Sequence, residues 1–127
     1  MEIFDTSMRA LDAALGAAGK RQEVLSNNLA NVNTPGYKRL DVNFDETLSK
    51  AIDATKSGEA TDDDVFGGLL PQVQQDRNAV AVRADGNSVD VDQEMSFLAE
   101  NNIRYNALVQ LSQSKMDTLK YVISDGR

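Results

Sequence analysis

Between Phe4 and Val32 the residues at alternating spacings of four and three read Phe4, Met8, Leu11, Leu15, Ala18, Gln22, Leu25, Leu29 and Val32, and eight of these nine are apolar. A 3.5-residue period held over about four heptads is the seam of a coiled coil, and it predicts a helix on the order of 40 Å long. A second seam follows the Asp85-Gly86-Asn87 turn as Met95, Leu98, Asn102, Tyr105, Val109, Ser112, Met116, Leu119 and Ile123, seven of nine apolar. Asp90 with Gln93 three residues later resembles a capping box, so the second helix is expected over about 91–124. Such narrow stripes stabilise a helix only against a partner. The two helices are therefore expected to pair as a coiled-coil-like hairpin in a mainly α fold. Leu108, Leu111 and Val122 lie outside the seam and call for cover from other chains.

The segment between the seams reads differently. Pro35-Gly36 predicts a turn, with Gly36 free to take positive φ. A weaker amphipathic helix is expected over about 43–56, with Phe44, Leu48, Ala51, Ile52 and Thr55 on one side and Gly58 just past its end. Residues 57–68 (SGEATDDDVFGG) read as a mobile loop. Residues 70–74 and 79–83 read as short strands of a β-hairpin, too few for a stable sheet alone. The expected organisation is an N-terminal helix in 1–35, a mixed middle in 36–88 and a C-terminal helix in 89–127.

Composition narrows the function. The 127-residue chain has no His and no Cys, and so lacks the commonest general base, the thiol nucleophile and most transition-metal ligands. No cofactor, metal or small-molecule substrate is expected. Carboxylate pairs such as Asp41 with Asp45 or Glu94 with Glu100 sit among polar residues with no pocket-forming pattern, which argues against an enzyme. Asp62-Asp63-Asp64 reads as a solvated run, and the Asp85–Asp90 stretch fails as a calcium loop because its glycine is second rather than sixth. Of the net charge of -7, residues 41–88 hold ten acidic and four basic side chains, while the two ends are near neutral. An acidic centre disfavours nucleic acid, and near-neutral ends permit close approach of copies of the chain. No apolar run reaches the roughly 20 residues of a membrane span, and the first residues lack the pattern of a cleaved signal peptide.

Gly16 and Gly19 interrupt the Ala-rich part of the first seam and should each cost about 1 kcal/mol of helix stability relative to Ala. They permit either close approach of another helix or flexibility. Four Asn within seven residues at the helix end, Asn27, Asn28, Asn31 and Asn33, are unusual because Asn favours local hydrogen bonds over helix. They can cap the helix, bond across a subunit boundary, or do both.

The segment SNNLANVNTPGYK at 26–38 resembles the signature of the flagellar rod, hook and hook-associated axial proteins. The resemblance continues through Asp90-Val91-Asp92-Gln93-Glu94-Met95, Asn101-Asn102 and Tyr105-Asn106-Ala107. Together the similar parts span about 4–56 and 84–124, and the short chain is most similar to proximal-rod members. The resemblance implies a non-enzymatic structural subunit of the flagellar basal-body rod, polymerising through its terminal helices to transmit torque. It implies a place in the periplasmic rod, export by the flagellar apparatus without a cleaved signal peptide, and as partners copies of itself, other rod proteins and the rod-to-base adaptor. Signature positions are Asn28, Leu29, Ala30, Asn31, Thr34, Pro35, Gly36 and Tyr37, with Glu94, Met95, Asn101 and Tyr105. The expected subunit interface comprises Met8, Leu11, Leu15, Leu25, Asn28, Leu29, Asn31, Val32, Pro35, Gly36 and Tyr37 from the first end. From the second it takes Met95, Leu98, Asn102, Tyr105, Val109, Met116, Leu119 and Ile123. The rival reading is a soluble helical-hairpin adaptor or secretion chaperone, folded by itself.

Overall fold

A computed structural model describes residues 6–58, 65–66 and 68–125. The elements run α1 (Thr6–Ala30), β1 (Leu40–Val42), α2 (Asp45–Ser57), β2 (Val73–Gln75) and α3 (Val91–Asp125). Phe4 and the Asp62–Asp64 run, and with them most of the expected 57–68 loop, lie outside the described residues.

The helices α1 and α3 pack antiparallel: Asn28 meets Glu94, Asn101 reaches Ala18, and Met8 and Leu15 share a groove with Val109 and Met116. At 1.5 Å per residue they are about 38 Å and 52 Å long, so the predicted helical hairpin is present. Asp90 starts α3 by accepting the N–H groups of Asp92 (2.9 Å) and Gln93 (3.3 Å) on its Oδ1, which satisfies two donors that would otherwise lack a helical partner. The expected middle helix is α2, with Phe44 and Ala51 buried and Gly58 ending it at φ +72. Its N–H bonds back to Thr55 and Ala54, a closure that needs the left-handed conformation glycine adopts freely. The core lies where α1, β1 and α2 meet: Ala17, Val24, Val42 and Phe44, flanked by Ala13, Ala14, Leu40, Leu48 and Leu69.

Three expectations are corrected. The helix predicted to reach Val32 ends at Ala30, because the chain tightens there into successive turns: Val32 N–H to Leu29 O, Thr34 N–H to Asn31 O, and Tyr37 N–H to Thr34 O. Pro35 and Gly36 (φ +71) occupy the middle of the last turn, so the expected turn is in place. The hairpin between 70–74 and 79–83 does not form. Only Val73–Gln75 is a strand, and it pairs antiparallel with β1 in the register Leu40↔Gln75, Asp41↔Gln74, Val42↔Val73. Residues 79–83 instead enter a tight loop in which the N–H groups of Val82 and Arg83 both bond to Asn87 O, leaving Val80 and Val82 exposed.

The third correction concerns the second seam. The buried positions of α3 are Glu94 and Asn101, one residue before the predicted Met95 and Asn102, which are exposed. Apolar spacing pointed past them because the buried side chains here are polar, matched by partners distant in sequence. Farther along, Val109, Ser112 and Leu119 are half-buried as the seam predicts.

Candidate assembly site

The turn after α1, strand β1 and the start of α3 converge on Arg39. Its side chain is only 2% exposed and bonds Glu94 through Nε, Asp76 through Nη1 and Asp41 through Nη2 (3.3 Å). The guanidinium also lies 5.0 Å from the centre of the Phe97 ring, with Arg21 at 5.6 Å from the same ring, a favourable placement of cations near an aromatic quadrupole. Burial opposes a charge on Arg39, but the hydrogen bonds and charge of Glu94 and Asp76 outweigh it and hold its pKa above the usual arginine value. Arg21 is raised in the same way: burial opposes its charge and Asp41 overrides it. Asp41 is the mirror case. Burial alone would raise its pKa, but the bond from Arg21 (3.0 Å), the Val42 N–H (2.7 Å) and the two guanidinium charges bring it below the ordinary value.

Asn28, fully buried at the end of α1, joins this pair to the backbone. Its Nδ2 donates to Leu40 O (2.7 Å) and to Glu94 Oε2 (3.3 Å), while its Oδ1 accepts the Leu40 N–H (2.9 Å) and the Tyr37 hydroxyl (3.2 Å). Burial and then the charge of Glu94 raise the Tyr37 pKa, keeping the phenol a neutral donor.

Asn87, also fully buried, supplies the cap that the end of α1 lacks. Its Nδ2 lies within 3.0 Å of the carbonyls of Asn31, Val32 and Thr34, and its Oδ1 accepts the Val89 N–H. Ser88 completes the link, accepting Arg39 N–H on Oγ and donating its own N–H to Tyr37 O. Gly36 (φ +71) and Gly86 (φ +86) lie against each other here in the left-handed conformation that favours glycine; a Cβ on Gly86 would make only ordinary contact with the Gly36 Cα, at 3.8 Å, so backbone conformation rather than space calls for glycine. The result is a knot of polar groups tying residues 28–41 to 76–101.

This geometry sorts the expected interface residues. Leu25 and Asn28 are fully buried within the chain, where their side chains face its own interior. Met8, Leu11, Leu15, Leu29, Asn31, Val32, Tyr37, Leu98, Val109 and Leu119 are half-buried. Pro35, Gly36, Met95, Asn102, Tyr105, Met116 and Ile123 are exposed. Interface residues were expected from both ends, and the structure brings Asn28 to Tyr37, and Met8 and Leu15 to Val109 and Met116. Sequence reasoning missed Arg39, Asn87 and Ser88 as structural centres. Their only signal is proximity to the Pro-Gly turn and to the capped helix start, since buried polar residues leave no apolar periodicity.

A family model described as "Flagella basal body rod protein" matches residues 4–38. The chain is 34% identical to the flagellar basal body rod protein FlgB of Bacillus subtilis, with all of both chains covered. It is 37% identical to FlgB of Aeromonas hydrophila over 91% of each, and 28% identical to that of Escherichia coli over 99% of each. The chain belongs to the FlgB family. As a FlgB-family chain it is a structural, non-enzymatic subunit of the flagellar rod, which decides against the free adaptor or chaperone. The basal body rod family match at 4–38 ends inside the polar knot, and it includes Asn28, Pro35, Gly36 and Tyr37. In this FlgB-family chain Asn28 and Tyr37 tie the first part of the chain to the second, through Glu94 and the Ser88 N–H.

Proposed function

We propose that this rod subunit polymerises through the far ends of α1 and α3, with copies of itself and other rod proteins, and passes torque along the shared helical layer. The observation that supports it is the outer surface of α3. Past Asn101 the helix buries no residue within the chain, yet it displays Ile103, Leu111, Met116, Tyr121, Val122 and Ile123, five of them more than half exposed. A 35-residue helix with so much uncovered apolar surface is stabilised by helices from elsewhere. Met8, Leu11 and Leu15 would join it from α1. Different faces meeting different neighbours give a heterologous, open assembly.

The same reading places the subunit in the periplasmic part of the rod, next to the rod-to-base adaptor, after delivery by the flagellar export apparatus. Among the described residues no helix is long and apolar enough to cross a membrane. A chain whose far end is held by few buried contacts is easily unfolded for passage through a narrow channel. Sedimentation of the purified chain over a wide concentration range, alone and mixed with rod proteins, tests the proposal. Assembly that Leu119→Asp and Ile123→Asp abolish, with circular dichroism of the monomer unchanged, is the expected result. A closed dimer insensitive to both substitutions would overturn it.

A further inference from the structure

We infer that the cleft between α1, α3 and the small sheet is a socket for Lys56 of a second copy of this chain, whose ammonium group binds Glu100 and the neighbouring Asn101 amide oxygen. The inference rests on the reading above that copies of the chain meet in the rod, and it names one contact by which they do.

The cleft has a volume of about 630 Å³. From α1 it takes the small side chains of Ala14, Ala17 and Ala18, which leave room for an aliphatic stem, and from α3 the polar Glu100, Asn101 and Arg104. Four carboxylates line it, Asp41, Asp45, Asp76 and Glu100, against the three guanidinium groups of Arg21, Arg77 and Arg104, so it is one cation short. The shortfall falls on Glu100. Arg21 bonds Asp41 at 3.0 Å, Arg104 bonds Asp45 at 2.9 and 3.1 Å, and Arg39 bonds Asp76. Glu100 meets Arg21 and Arg104 at 3.6 Å each, beyond hydrogen-bonding distance, and its side chain is half exposed.

A second observation at the same place does not depend on charge. Asn101 is 1% exposed, and its Nδ2 donates to Ala18 O and Gln22 Oε1 (2.9 Å each), which fixes the orientation of the amide. Its buried Oδ1 has no donor among the described residues. An ammonium group carries three protons and no lone pair, so one entering beside Glu100 serves the carboxylate and the amide oxygen together. A hydroxyl has a single proton to give, and an ionised carboxylate has none.

Lys56 is the matching cation. It stands exposed in the last turn of α2 and has no ion pair or hydrogen bond through its ammonium group among the described residues, whereas Lys20, Lys38, Lys50 and Lys120 are engaged. Its own cleft is out of reach. Asp45, which lines the cleft, begins α2, and the helix places Lys56 about 16 Å farther on, more than a lysine side chain spans. Knob and socket therefore belong to different faces of one chain, and their contact runs head to tail from copy to copy.

The chain contains no cysteine, so Lys56→Cys/Glu100→Cys places two unique thiols in the full-length subunit within isolated basal bodies. A bismaleimide matched to the length of a lysine–glutamate bridge should join copies into a ladder of dimers, trimers and larger species on a denaturing gel, and either cysteine alone should give no ladder. An amine-reactive crosslinker on basal bodies of the unsubstituted chain reports whether copies are neighbours at all. Multimers with the amine reagent but none with the cysteine pair would overturn the socket and leave the assembly reading standing; multimers with neither would overturn both. A cysteine crosslink to a different rod protein in place of the ladder would also overturn the second copy as occupant. Charge gives an independent readout. Lys56→Glu and Glu100→Lys should each lower the number of assembled basal bodies per cell by about tenfold, and the double variant should restore most of them, with circular dichroism of each purified chain unchanged. A double variant as defective as either single one would overturn the pairing.

Discussion

The two halves of the hairpin are held by different chemistry. Near the knot, α1 and α3 face each other through Asn28, Glu94 and Asn101, with Arg39 reaching Glu94 from the residue before β1. At the far end they meet through Met8, Leu15, Val109 and Met116, half-buried or exposed and interchangeable in kind with side chains from another helix. Polar contacts have fixed directions and a large cost when unmet, so they select one arrangement. Apolar contacts are non-directional and accept new partners. A subunit that must hold its own shape and also merge with neighbours has use for both.

The sharpest way to break the contrast is to remove the hub. Arg39→Ala leaves the fully buried Glu94 without its cation and should destabilise the chain by about 3–5 kcal/mol, measured by urea unfolding. Next, Asn87→Ala strips one amide from three carbonyls at the end of α1 and should cost about 2 kcal/mol in the same titration. Acid should act on the knot half through Asp41, whose folded-state pKa lies below its unfolded one. The stability it contributes is complete above the ordinary carboxylate value and disappears as the pH falls through the lower folded-state value; Asp41→Asn should remove that part of the pH dependence. The smallest effect belongs to the far end. Ile123→Asp should change monomer stability by less than about 0.5 kcal/mol, because the side chain is already in water. A large loss there would mean that the far end is held as firmly as the knot.

How legible each half was in the sequence follows from the same difference. The helices, the α2 segment and the Pro35-Gly36 turn were readable because period, caps and turn residues are local signals. The far half of the second seam was readable in part, since Val109, Ser112 and Leu119 are half-buried at the expected spacing while Tyr105, Met116 and Ile123 are exposed. The knot was readable only as a string of unusual residues. Nothing local says that Arg39 turns inward to Glu94, 55 positions away, or that Asn87 caps a helix that ended at Ala30. Leu25 was placed on the correct stripe and is buried within the chain, whereas a period identifies a buried face without saying which chain buries it. Residues 79–83 had the apolar alternation of a strand but no unpaired strand beside them, and the bonds to Asn87 O took their place.

The two hydrogen bonds between Asn28 and Leu40 have a further consequence. One margin of β1 is paired with β2, and on the opposite margin Asn28 occupies both the N–H and the C=O of Leu40 while Asp41 Oδ1 takes the Val42 N–H. Side-chain amide and carboxylate thus stand in for a missing strand. Such a margin offers little for a neighbouring copy to extend by cross-strand pairing, the route by which crowded β-structure aggregates. In a polymer that stacks identical chains at very high local concentration, the small sheet is blunted on that side, and ordered growth is left to the helices.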